Sequence, residues 1–138
     1  MNKLVKRIAT TLTASAFALT LCTFAVSANE SGWLTVKVPS RAEWSPESAL
    51  IKKTDSGRAG FFVITNPYAW GIFGQISSAG KHILKEDTYL YSNDWTYAVY
   101  GKDKKGKSLG INGKSYRATI RCNSYDPGNN YVKYKFGP

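Results

Sequence analysis

The chain has 138 residues, with 19 lysines and arginines against 9 acids, a formal charge of +10, 14% aromatic residues, one histidine and two cysteines. One histidine cannot build a multi-histidine metal site or a histidine acid–base pair, and two cysteines cannot staple a disulfide-dense scaffold. The cationic excess draws the chain toward anionic partners such as wall polymers, lipid headgroups or nucleic acid.

Lys3, Lys6 and Arg7 form a positive start, and an apolar stretch follows, densest over 14–26. Val26, Ser27 and Ala28 then supply the small-x-small pattern of a signal-peptidase site. Threonines and serines dilute this run below what a spanning helix needs. Leu21, just before Cys22, is bulkier than lipid attachment favours. The expectation is therefore a signal helix over 1–28, cleavage between Ala28 and Asn29, and an extracellular or wall-associated domain over 29–138. That segment keeps sixteen cations and nine acids, a net charge of +7, and Cys122 as its one cysteine. No internal disulfide is expected, and pairing between chains stays open, as does the oligomeric state.

Along the mature segment the pattern is that of short strands. Over 32–38, Leu34, Val36 and Val38 alternate with Trp33, Thr35 and Lys37, the period of a half-buried strand. Pro39 ends it. Residues 40–48 read as a loop, with a cap-then-proline start at Ser45 and Pro46 for one helical turn. A second strand is expected over 49–54, a turn at Asp55, Ser56 and Gly57, and a central strand over 61–65, apolar on both faces. Asn66 and Pro67 turn the chain into 69–76. There Trp70, Ile72 and Ile76 should share a side, and Gly71 and Gly74 mark a bulge or a close approach.

After a turn at 78–80, one or two short strands fall within 81–91. Trp95, Tyr97 and Val99 share a face over 95–100, and 102–107 is a charged hairpin tip. Asn112 and Gly113 suit a type I′ turn joining 109–111 to a strand over 115–122. On that strand Tyr116, Ala118, Ile120 and Cys122 oppose Ser115, Arg117, Thr119 and Arg121. Asp126, Pro127 and Gly128 turn into 131–136, where Val132, Tyr134 and Phe136 oppose Tyr131, Lys133 and Lys135. Seven or eight short strands define an all-β fold: a small antiparallel sandwich or barrel in one domain.

No catalytic set, metal site or cofactor motif emerges. His82 belongs at a surface or sheet edge. Cys122 lies on the core face, where a thiol is inert. Glu86 and Asp87 point to opposite faces of an extended chain, and Asp55, Asp94, Asp103 and Asp126 sit in turns. Residues 90–95 are similar to a stretch near the end of the barnase-type ribonucleases, but Lys102, Asp103, Lys104 and Lys105 stand where that family carries a catalytic histidine.

Candidate ligand-binding residues are the aromatics on polar faces, Trp33, Tyr100 and Tyr131, and the cations Arg117, Arg121, Lys133 and Lys135. If the strands bearing these cations pair, they form one basic patch suited to sugar-ring stacking or lipid contact beside anionic groups; no nucleic-acid motif accompanies it. The expectation is a secreted, non-enzymatic binding protein at an anionic cell-envelope surface, with a wall polymer or membrane surface as partner. The alternatives are a bacteriocin-like toxin or a small nuclease-like hydrolase.

Two stretches, Lys52, Lys53, Thr54, Asp55 and Ser56 followed by Phe61, Phe62 and Val63, and the tail from Arg121 to Phe136, resemble a group of small exported proteins of Bacillus-type bacteria. The resemblance spans about a third of the chain. It implies a secreted, β-rich protein and brings no function with it.

Overall fold

Alternation at period two, broken by glycine, proline and Asx turns, gives nine strands and, among the described residues, no helix. The computed structural model describes residues 30–138. The expected signal helix and the Ala28–Asn29 junction lie outside the described residues. The strands are β1 (Leu34–Lys37), β2 (Ile51–Lys52), β3 (Ala59–Thr65), β4 (Ile72–Ser78), β5 (Lys81–His82), β6 (Thr88–Leu90), β7 (Trp95–Ala98), β8 (Ser115–Cys122) and β9 (Tyr131–Gly137).

They form two antiparallel sheets. The first has the order β1-β9-β3-β7; the second has the order β2-β8-β4-β5, with β6 also paired to β4. In the first, Phe61 and Phe62 of β3 face Phe136 and Lys135 of β9, and a bulge follows Val63. In the second, β4 runs against β8 from the pair Ile72–Cys122 to the pair Ser77–Arg117.

The inner faces carry the core. Phe61, Val63, Val132, Tyr134 and Phe136 meet Ile72, Ile76, Leu90, Tyr116, Ala118, Ile120 and Cys122, all essentially inaccessible to solvent. Burial of this apolar surface drives the assembly, at roughly 25 cal/mol per Å². The sheets approach closely at Gly74, where a Cβ would lie 2.9 Å from the Phe61 ring.

Three serines stitch strand edges. The Ser45 N–H donates to the Ile120 carbonyl (2.8 Å), and the Ser45 hydroxyl accepts from the Ile120 N–H (3.0 Å). Ser48 does the same with Ala118, at 2.9 Å each way. Ser31 does so with Phe136 on β9, at 2.7 and 2.9 Å. Each serine thus satisfies both backbone groups of its partner residue, covering edges that would otherwise offer unpaired groups to another chain.

These stitches correct one expectation. Ser45 and Pro46 start no helical turn, because the segment is held against β8 and its hydrogen bonds go to the strand. Three further differences concern local geometry. The expected strand over 49–54 shortens to β2, since Lys53 turns inward and is fully buried. Trp70 precedes β4, at a turn where Gly71 has φ +86°, and it is exposed, unlike Ile72 and Ile76. The Asn112–Gly113 turn has positive φ only at Gly113 (+87°), and its chain leads β8 to pair with β2, not with 109–111.

Candidate ligand-binding site

The core uses one face of each strand, so the first sheet leaves a second face to solvent. β9 places Tyr131, Lys133 and Lys135 there; β3 adds Phe62; β7 adds Trp95 and Tyr97; Trp33 stands just before β1. The register aligns them, because Phe62 faces Lys135 on one side and Trp95 on the other. The result is a row across the sheet: Trp33, Lys135, Phe62, Trp95.

Neighbouring rings meet edge to face. Trp33 and Phe62 lie 5.9 Å apart, and Phe62 and Trp95 lie 5.7 Å apart. The Lys135 ammonium lies 5.6, 5.7 and 4.9 Å from the centroids of Trp33, Phe62 and Trp95. These distances are within cation–π range. Glu30 accepts from the same ammonium at 3.0 Å. Trp95 in turn stacks on Tyr97, with centroids 6.2 Å apart and planes 19° apart. Trp33 is 48% exposed, Tyr97 62% and Tyr131 67%, so these rings are not core residues.

One step along the strands the row is glycine, as Gly60 pairs with both Gly137 and Tyr97. With no side chains on the floor, a trench of about 270 Å³ opens there. Trp95 and Tyr97 form one wall, and Glu30, Asp55, Arg58 and Pro138 complete the lining. A methyl group on Gly60 would lie 3.1 Å from the Trp95 ring.

The far end of the trench is fixed from below by Lys53. Its ammonium donates to the Gly57 carbonyl (2.8 Å), the Pro138 oxygen (3.0 Å) and Asp55 Oδ1 (3.2 Å), and it lies 5.0 Å from the Tyr100 ring centroid. Asp55 Oδ1 also accepts the Gly57 N–H at 2.8 Å. That backbone hydrogen bond, with the Lys53 bond second, holds the Asp55 carboxyl below its ordinary pKa.

Of the residues singled out in the sequence, Trp33, Tyr131, Lys133 and Lys135 come together on this face. Arg117 and Arg121 do not, and the single basic patch is corrected: β8 belongs to the second sheet, so its cations lie on the opposite side of the sandwich. There they are already partnered. Arg121 bonds Asp87 at 2.9 and 3.2 Å and lies over Phe73 and Trp44. Arg117 donates to the Ser48 carbonyl at 2.6 Å and lies 3.7 Å from Glu47.

Tyr100 is the second correction. It is 7% exposed, packs on Tyr116 and has no hydrogen-bond partner for its hydroxyl among the described residues. In the structure Tyr97 and Val99 face solvent, so alternation along the chain sends Tyr100 inward with Ala98. The sequence reading missed Phe62, Gly60, Arg58 and the outward role of Trp95 and Tyr97. The shared face of Trp95 and Tyr97 was visible; which face met solvent depends on pairing with β3.

His82 is exposed and packs on Trp44. Cys122 is buried, its thiol 3.4 Å from the Pro39 carbonyl. They pair with opposite ends of β4, Ser77 and Ile72, about 17 Å apart along a strand rising about 3.3 Å per residue. No dyad of the two is formed.

Compared with known protein families, with curated proteins and with solved structures, the chain matches none.

Proposed function

We propose that the protein is a secreted, non-enzymatic binding module for an anionic, ring-containing polymer of the cell envelope, held on the outer face of the first sheet. The observation that carries this reading is the row Trp33–Lys135–Phe62–Trp95. It is a solvent-facing aromatic strip, locked by edge-to-face contacts and a shared ammonium before any ligand arrives. A clustered aromatic surface of this kind is the usual mark of a contact site, and rigid aromatics cost little entropy when they bind.

Pyranose rings offer apolar C–H faces that stack on indole and phenol rings. The exposed Lys133 lies 5.7 Å from the Trp33 ring, so an anionic substituent on a stacked ring falls within reach of a cation. The charge of +7 over 29–138 adds long-range attraction.

Retention of the mature protein on purified wall polymer, measured across a salt series, tests the reading. The expected result is retention at low salt that weakens as salt rises, with anionic vesicles retaining less. Absence of retention at low salt would remove the reading. Stronger retention on vesicles would move it to the membrane-directed toxin.

A further inference from the structure

We infer that the trench beside the aromatic row is a subsite for one acidic sugar residue, a pyranose carrying a carboxylate or phosphate that is met by Arg58. This inference rests on the polymer-binding reading above and narrows it to a class of repeat unit.

Three features of the trench define the ligand. Its floor is bare backbone at Gly60 and Gly137, and its volume of about 270 Å³ falls just below the range of about 300 to 1,000 Å³ of drug-sized ligand sites. That suits a single ring and not a longer segment. Its wall is the stacked pair Trp95 and Tyr97, an aromatic surface for the apolar face of that ring.

Its polar groups are unequal. Glu30 Oε2 is neutralised by Lys135 at 3.0 Å, and Asp55 Oδ1 by Lys53 at 3.2 Å. Arg58 has no carboxylate within ion-pair distance among the described residues. Among the described residues, the one charged side chain lining the trench without an ion-pair partner is therefore a guanidinium, whose fork matches a carboxylate or a phosphate. The second oxygens of Glu30 and Asp55, unpartnered among the described residues, remain as acceptors for ring hydroxyls. An aromatic wall, hydroxyl acceptors and a lone guanidinium together select an acidic sugar over a neutral one.

The test uses soluble probes apart from the wall polymer: a galacturonate oligomer, a neutral galactose oligomer of equal length, and glucose 6-phosphate. Binding is followed by tryptophan fluorescence, which Trp95 reports directly, and by calorimetry. At about 0.15 M salt the screening length is about 8 Å, so diffuse attraction is damped and direct contact with Arg58 dominates.

The galacturonate oligomer, the phosphate or both should bind at least about tenfold more tightly than the neutral oligomer. Arg58→Ala should abolish that preference, a loss of about tenfold. Arg58 is exposed and makes no hydrogen bond through its side chain among the described residues, so its removal leaves the fold intact. Gly60→Ala, which fills the floor, should weaken the acidic probes as well. Whichever acidic probe binds identifies the anionic group.

Equal binding of acidic and neutral probes, or a preference that survives Arg58→Ala, overturns the subsite. If the wild-type protein is retained on wall polymer in that case, the broader reading stands. If the acidic probes bind through Arg58 but wall polymer is not retained, the subsite stands and the broader reading falls.

Discussion

Lys53 shows how much one side chain can hold. Its ammonium is completely buried, yet it is satisfied by oxygens from the Asp55–Gly57 turn and from Pro138. Lys53→Met keeps the apolar stem but leaves the Gly57 and Pro138 oxygens without a donor. The expected loss is about 2 kcal/mol in denaturant unfolding, and weaker binding of acidic sugars should accompany it as the trench end loosens. Tyr100 presents the opposite case, a buried hydroxyl with no partner among the described residues. Tyr100→Phe should therefore keep or raise stability, by up to about 1 kcal/mol.

Burial also pushes the phenols of Tyr100 and Tyr134 well above their ordinary pKa. A phenol raised in the folded state contributes fully below the unfolded value of about 10 and loses that contribution as pH climbs toward the folded value. The wild-type protein should lose stability steadily above about pH 10, and a Tyr100→Phe, Tyr134→Phe variant should lose less, as followed by circular dichroism.

At the scale of elements, the strands were legible because every second side chain is apolar and faces inward. β8 is the clearest case, with Tyr116, Ala118, Ile120 and Cys122 all buried as their spacing required. The pairing was not legible. Nothing local in Arg117 or Lys133 reveals that β8 and β9 belong to different sheets, because that is decided by which long-range partners fill each edge. The serine stitches were hidden for a related reason. Ser45 reads as a helix cap in isolation, and only the unpaired edge of β8 turns its hydroxyl into a strand partner. Ser45→Ala keeps its N–H bond but strands the buried Ile120 N–H, so a loss of about 1–2 kcal/mol is expected in thermal or denaturant melts.

Glycines sort the turns in the same way. Gly113 (φ +87°) and Gly128 (φ +71°) both adopt the left-handed region, but a Cβ meets nothing at Gly113 and would lie 2.4 Å from backbone of Pro39 and Ser40 at Gly128. Gly113→Ala should cost about 1 kcal/mol from backbone strain alone. Gly128→Ala should cost clearly more, because backbone atoms must move as well; expression yield and melting temperature would report the difference.

Over the whole molecule the two outer faces have divided their roles. On the second sheet Arg117 and Arg121 are spent on Glu47 and Asp87, and Arg121 also lies over the Trp44 ring. On the first sheet Lys133 and Arg58 have no acidic partner among the described residues, and they flank an aromatic strip. Composition reported the surplus of cations and aromatics, but only the sheet order gathers four of the seven candidate residues on one side. If that side binds the polymer, stacking and charge should separate by their response to salt. Stacking is short-ranged and insensitive to ions, whereas exposed charge is screened over about 8 Å at 0.15 M salt.

Trp33→Ala removes a half-exposed ring at the end of the row. It should weaken retention on wall polymer about tenfold at every salt concentration, in line with about 1–3 kcal/mol per stacked ring in other aromatic platforms. Lys133→Ala removes a cation with no acidic partner among the described residues. Because that cation acts through its long-range charge, the substitution should weaken retention at low salt, flatten the salt dependence and converge on the wild-type protein at high salt. Parallel salt curves for both variants would mean that the cation works only through its contact with the Trp33 ring. Two unchanged curves would place the polymer elsewhere on the surface.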